Sequence, residues 1–103
     1  MMPRRACRKD ANHDEIRDAL RAYGWLILDT WQHAQYTPGF PDLVAICPEA
    51  TVFVEVKALN GKLTPDESRF RQKVLAAGAK YAVVDDLEQA QFMTRCYWPG
   101  RVV

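Results

Sequence analysis

An α/β (α+β) domain, with a central mixed β-sheet flanked by helices in the order α-β-β-β-α-β-α, is the fold this sequence predicts. Three observations predict it. The first segment carries apolar residues at helical spacing, four later segments are short apolar runs of strand length, and a complete capping signal opens a second helix. One hundred and three residues, 49% of them hydrophobic, are enough for one core and seldom divide into two.

Ile16, Ala19, Leu20 and Tyr23 stand at i, i+3, i+4 and i+7, which predicts a helix at about 12–23 with Asn12 as N-cap and Gly24 as its stop. WLILDTW (25–31) reads as a strand, with Trp25 and Trp31 packing in the core, and QHAQYTPG after it as a loop. PDLVAIC (41–47) and TVFVEVKA (51–58) are separated only by PEA, so they predict an antiparallel hairpin, and Asn60-Gly61 makes the next turn. Thr64 as N-cap, Pro65 at the first helical position and Glu67 three residues after the cap form a capping box. Phe70, Val74 and Ala77 are the expected buried stripe of that helix, and Gly78 ends it. KYAVV (80–84) is a fourth strand, and Asp86 with Gln89 starts a third, shorter helix carrying Leu87, Ala90 and either Phe92 or Met93.

Composition excludes several classes of function. Cys7, Cys47 and Cys96 are odd in number and widely spaced, so they make neither a metal knuckle nor a dense disulfide framework. No run approaches the roughly 18 apolar residues of a membrane span, and the basic N-terminus lacks the apolar stretch of a secretory signal. The expected location is cytoplasmic. No GxxxxGK or GxSxG motif is present, which predicts no nucleotide cofactor and no covalent catalysis.

The charge is unevenly spread. The formal net charge is +1, but Arg4, Arg5, Arg8 and Lys9 place four positive charges and no acid in the first nine residues, leaving ten basic and thirteen acidic residues, net −3, for the rest. Residues 1–10 therefore read as a flexible basic arm and residues 11–103 as the folded domain.

The chemistry concentrates on one strand and the loop before its partner. Alternation puts Val52, Val54, Val56 and Ala58 on one face and Phe53, Glu55 and Lys57 on the other. An acid and an amine on an otherwise apolar strand lose hydration unless something compensates them, although a solvated face or mutual screening would look the same. Gly39-Phe40-Pro41-Asp42 brings a second acid to the start of the neighbouring strand, where it is either a turn residue or a partner for Glu55. Two carboxylates about 4 Å apart repel by about 4 kcal/mol at an effective dielectric near 20, a cost that a divalent cation removes. Two carboxylates, a backbone carbonyl and several waters suit magnesium, with the lysine left to position or activate a water.

GFPDLVAI, then TVFVEVKALNGKLTPDESRF, then KYAVV and a short helix resemble the VRR-NUC family of the PD-(D/E)xK nuclease superfamily, over roughly residues 13–93. The resemblance implies a restriction-endonuclease-like core and Mg²⁺- or Mn²⁺-dependent cleavage of DNA phosphodiesters. It implies Asp42 and Glu55 as metal ligands with the Val56 carbonyl, and Lys57 as the group that orients the water or stabilises charge on the phosphate. Glu15 falls where such nucleases often keep an acid that reaches the metal through water, but Asn12-His13-Asp14-Glu15 is itself a capping box and the two roles stay open. Where the family usually has Gln after LTPx this chain has Glu67, which either caps the helix alone or adds an acid just behind the metal ligands. His13 and His33 lack ligand spacing and read as loop or surface residues.

For DNA, Arg4, Arg5, Arg8, Lys9, Lys62 and Arg69, with Arg71 and Lys73, are available to hold phosphates; Trp25, Trp31 and Tyr36 are candidates for stacking, with core packing the preferred reading of the two tryptophans. A domain with a radius of gyration of about 13 Å covers little duplex. The resemblance is to stand-alone members of phage or bacterial type that dimerise like Holliday-junction resolvases, which implies a homodimeric, structure-selective endonuclease acting on branched DNA or four-way junctions. Two other readings remain: a monomer that nicks or processes ordinary duplex or flap DNA, and a non-catalytic DNA-binding module.

Overall fold

The computed structural model describes residues 9–103. Arg4, Arg5 and Arg8 of the expected arm lie outside the described residues. The elements are α1 (His13–Tyr23), β1 (Leu26–Asp29), a 3-10 segment (Trp31–Gln35), β2 (Leu43–Cys47), β3 (Ala50–Val56), α2 (Pro65–Ala76), β4 (Lys80–Val84) and α3 (Leu87–Tyr97). The four strands form one sheet in the order β1-β2-β3-β4. β1, β2 and β3 pair antiparallel, and β4 pairs parallel to β3, so the sheet is mixed as the sequence predicts.

Strand alternation divides the sheet into two faces. Ile27, Leu43, Ala45, Val52, Val54, Val56 and Val84 are buried in a core with Ile16 and Leu20 of α1 and Ala90 and Met93 of α3. Met93 rather than Phe92 faces that core, since Phe92 is exposed. Across the other face lies α2, where Phe70 meets Phe53 of β3 and Phe40 of the preceding loop with ring centroids 6.3 and 5.3 Å apart. Val74 is the buried residue of α2, and Ala77, expected in the stripe, is exposed at the helix end. α2 leaves Leu26 and Leu28 on the β1 edge 60% and 47% exposed.

Two helix starts follow their sequence signals. The Thr64 hydroxyl accepts from Glu67 N while the Glu67 carboxylate accepts from Thr64 N, completing the capping box of α2. Asp86 accepts from Gln89 N at the start of α3, which extends to Tyr97 and equals α1 in length. The start of α1 differs. Asn12 occupies the N-cap position but its side chain makes no capping bond, so the expected Asn12–Glu15 capping box does not form. The first strand is also shorter than the apolar run, because Trp31 turns into the 3-10 segment and is only half-buried; Trp25 is buried, its Nε1 donating to Thr94.

The loop from 36 to 42 is held against α2 by a close backbone approach. Gly39 has φ +84, and a Cβ there would collide with the Asp66 carbonyl in the first turn of α2. Only glycine satisfies both the left-handed backbone and the missing side-chain volume. Thr30 then fixes the next residues by donating from its N to Asp42 O (2.8 Å) and from its hydroxyl to Pro41 O (2.9 Å). Gly39→Ala should cost at least about 1–2 kcal/mol of stability, through the left-handed backbone alone, in urea unfolding; an unchanged midpoint would show that the loop does not depend on this approach.

Candidate active site

β2 and β3 set the carboxylates side by side. The register pairs Leu43 with Val54, so its continuation brings Asp42 next to Glu55, on the sheet face that α2 covers. Asp42 Oδ2 accepts from Val56 N at 2.8 Å, which locks the loop acid onto the end of β3. The Glu55 side chain is 3% exposed, and its Oε1 is buried without a hydrogen-bond partner. Lys57 Nζ, 14% exposed, lies 3.6 Å from Glu55 Oε2 and 2.7 Å from Glu67 Oε1. The structure thus brings Asp42, Glu55, Lys57 and Glu67 together at the carboxyl end of β3.

The electrostatics follow from crowding three acids around one amine. Burial, then the neighbouring Asp42 and Glu67 charges, push the Glu55 carboxyl up to about 11. Burial also raises Asp42, although a hydrogen bond from protonated Glu55 and the Val56 N–H oppose the rise. In the absence of a cation the pair therefore holds a proton at neutral pH. Burial disfavours the charged forms of Glu67 and Lys57 too, but their mutual hydrogen bond, added to the Thr64 N–H on Glu67 and the acid charges around Lys57, outweighs it: the Glu67 carboxyl sits below its ordinary range and the Lys57 ammonium above.

These residues fit a hard divalent cation. Two adjacent carboxylates carry elevated proton affinity, and one of their oxygens is a buried acceptor with no donor, as a ligand atom would be. Among the described residues no cluster of three or more His, Cys, Asp or Glu side chains is arranged to hold a metal ion, so the remaining ligands would be a backbone oxygen and waters.

The other expected residues are scattered. Glu15 is exposed on the first turn of α1, and its side chain makes no hydrogen bond or ion pair among the described residues. Lys62 is exposed beyond β3; Arg69 pairs with Asp66; Lys9 pairs with Asp14 and lies over the Trp31 ring at 5.5 Å. His33 is exposed in the 3-10 segment and Tyr36 follows it at 74% exposure.

Sequence reasoning missed three residues. His13 is not at the surface: it is 1% exposed, its Nε2 lies 3.2 Å from both carboxylate oxygens of Asp29, and it sits near enough to act on the charge of Asp42. Its place directly after the cap and three residues before Ile16 on the buried stripe was the available signal. Tyr81, 6% exposed on β4, has a buried hydroxyl without a partner, and burial together with the Glu55, Glu67 and Asp42 charges raises its phenol. Asn12 reaches the end of β3 from α1, which no local pattern signalled.

Comparison with known proteins identifies a nuclease-type domain. The chain belongs to the VRR-NUC domain family, whose model matches residues 5–85. A solved structure described as a VRR_NUC domain superimposes with a TM-score of 0.71 at 26% identity, covering 85% of this chain and 96% of that one. No curated protein sequence matches.

The raised Glu55 predicts a definite pH dependence. Between the ordinary value of 4.5 and about 11 the folded protein keeps a proton that the unfolded chain has released, so this group's contribution to stability is greatest below about pH 4.5 and falls as pH rises. The slope approaches about 1.4 kcal/mol per pH unit for one proton. Thermal unfolding of metal-free protein from pH 5 to 8 should show the decline, and Glu55→Gln should flatten it; parallel curves for the two proteins would contradict the assignment.

Proposed function

We propose that this domain is a divalent-cation-dependent DNA endonuclease that cuts structured DNA, four-way junctions above all, as a homodimer. The observation that carries the proposal is the Asp42–Glu55 pair, half-buried at Asp42 and buried at Glu55, with a Glu55 oxygen unpartnered among the described residues and Lys57 beside it. Mg²⁺ or Mn²⁺ bound there would neutralise the phosphate and lower the pKa of a bound water.

The chain's own groups would act as follows. Asp42 and Glu55, with the Val56 carbonyl, hold the cation. Asp42 is kept in place by the Val56 N–H, so its free oxygen keeps one direction. Lys57 reaches over Glu55 and orients the attacking water or meets charge developing on the phosphate. Glu67 anchors Lys57 at 2.7 Å and adds negative charge just behind the ligands. Glu15, exposed on α1, is assigned at most an outer position reached through water. Lys9, Lys62 and Arg69, with Arg4, Arg5 and Arg8 from the N-terminal segment, supply phosphate contacts, and each would steepen the loss of affinity with salt.

Two features support a dimer. A radius of gyration of 13.1 Å leaves one protomer little surface for a branched substrate, and Leu26 and Leu28 form an exposed apolar strip on the β1 edge. Twofold symmetry would supply two sites for paired cuts.

Synthetic four-way junctions, flaps and linear duplex incubated with Mg²⁺ or Mn²⁺ test the proposal, with sedimentation reporting the assembly. Junctions should be cut fastest by a dimer, and Lys57→Ala should lower kcat by roughly 10²-fold or more. Equal failure of wild type and Lys57→Ala on every substrate would leave a DNA-binding module. Glu67→Gln keeps the helix cap and removes one charge, so it should leave the melting temperature nearly unchanged while raising the Mn²⁺ concentration for half-activation by roughly tenfold, equivalent to about 1.4 kcal/mol.

A further inference from the structure

At the N-terminus of α1, the best-placed local use of Asn12 would be to cap the helix, an interaction typically worth about 1 kcal/mol. The side chain instead turns away from its own helix. Its Nδ2 donates to Lys57 O at 3.0 Å and to Asp85 O at 2.8 Å, partners 45 and 73 residues away. Lys57 follows the last residue of β3 and Asp85 the last residue of β4, and the two strands run parallel. One carboxamide therefore ties together the carboxyl ends of two neighbouring strands, β3 and the edge strand β4. Two carbonyl partners fix which end of the amide is which, since only the NH₂ group serves both.

The carbonyl it holds belongs to the same residue as the site's ammonium group. Lys57 N donates to Val84 O at 3.0 Å, so the Lys57 residue is gripped from both sides: by β4 through its N–H and by Asn12 through its carbonyl. Those two bonds set the plane of the chain as it leaves β3, and with it the direction of the Lys57 side chain and of the Val56 carbonyl one residue earlier. Glu15, three residues further along in the first turn of α1, offers no such contact among the described residues.

We infer that Asn12 is a positioning residue of the active site, acting through the Lys57 backbone rather than on substrate. This rests on the nuclease reading above. A displacement of about 1 Å in a catalytic group can cost on the order of 10²-fold in rate, so the loss of this grip should show in kcat. Asn12 Oδ1 is buried and has no partner among the described residues, so the inference is specific to the donor end of the amide.

Three variants separate positioning from mere folding. Asn12→Asp keeps the shape and the Oδ1 acceptor but faces two carbonyls with oxygen. Asn12→Ala removes both ends. Asn12→Ser is the decisive one: serine restores a good cap to α1, which offsets lost stability, but its hydroxyl is too short to bridge both strand ends. The expected result is that Asn12→Ser melts near the wild-type temperature and loses roughly ten- to hundredfold in kcat at saturating Mn²⁺, with KM for DNA within about twofold. Asn12→Asp should lose at least as much. Wild-type kcat in folded Asn12→Ser, or retention of activity by Asn12→Asp, would overturn the inference. Should wild type itself cut no DNA, the nuclease reading fails separately, and Mn²⁺ titration by electron paramagnetic resonance then decides the positioning: weaker binding in Asn12→Ser supports it, equal binding overturns it.

Discussion

Two carboxylates that cannot both be charged cheaply sit side by side on the sheet, Glu55 buried and Asp42 half-buried, and the surrounding structure is arranged to keep them there. Asp42 could turn outward from its loop, which would relieve the repulsion and the burial at once. The Val56 N–H prevents this from one side, and Thr30, bonded to the Asp42 and Pro41 carbonyls, prevents it from the other. Behind the loop, Gly39 lies so close to the first turn of α2 that the loop and the helix cannot be displaced independently. The fold therefore accepts a destabilised pair in exchange for preorganisation, a conflict between local preference and global structure of the kind expected at functional sites.

Glu67 illustrates how one residue serves both halves of that arrangement. Its carboxylate closes the capping box with Thr64 N and at the same time binds Lys57, so the start of α2 and the site amine are fixed by a single group. The cap was legible, since Thr64, Pro65 and Glu67 obey a local spacing rule. The Lys57 contact was not, because it depends on α2 lying across the Phe53–Glu55 face, which only the assembled Phe40, Phe53 and Phe70 cluster determines.

The same division runs through the rest of the chain. Hairpin register, the two-faced alternation of β3 and the placement of Asp42 beside Glu55 follow from period-two patterns and short connections, so residue order alone carries them. Local patterns fail where a side chain has a better distant partner than its local one. Asn at the position of Asn12 usually caps a helix, but two strand-end carbonyls outcompete the helix. No ligand spacing marks His13, and its local pattern suggests the surface; Asp29, brought next to it by the packing of α1 on β1, provides the partner that makes burial tolerable. The apolar character of Trp31 suggests a strand, but the Thr30 N to Asp42 O bond is the last rung of the β1–β2 pairing, and beyond it Trp31 N donates to Asp29 Oδ1 and His33 N to Thr30 O, which turn the chain into the 3-10 segment.

The net charge of the domain also takes on a different meaning once the site is located. Ten basic and thirteen acidic residues after residue 9 make an acidic body that would repel a phosphodiester if its charges were uniform. They are not: Asp42, Glu55 and Glu67 are clustered at the end of β3 around one lysine. With a proton held by the Asp42–Glu55 pair, the four groups sum to −1; with that proton released they sum to −2. On the proposed function, a divalent cation displacing the proton would bring the second sum to zero, so the local field that opposes DNA would be removed by the same event that assembles the ligand set. Deprotonation, cation binding and admission of a phosphate would then be linked at one position, and the acidic balance of the body would become a condition on when the substrate can approach.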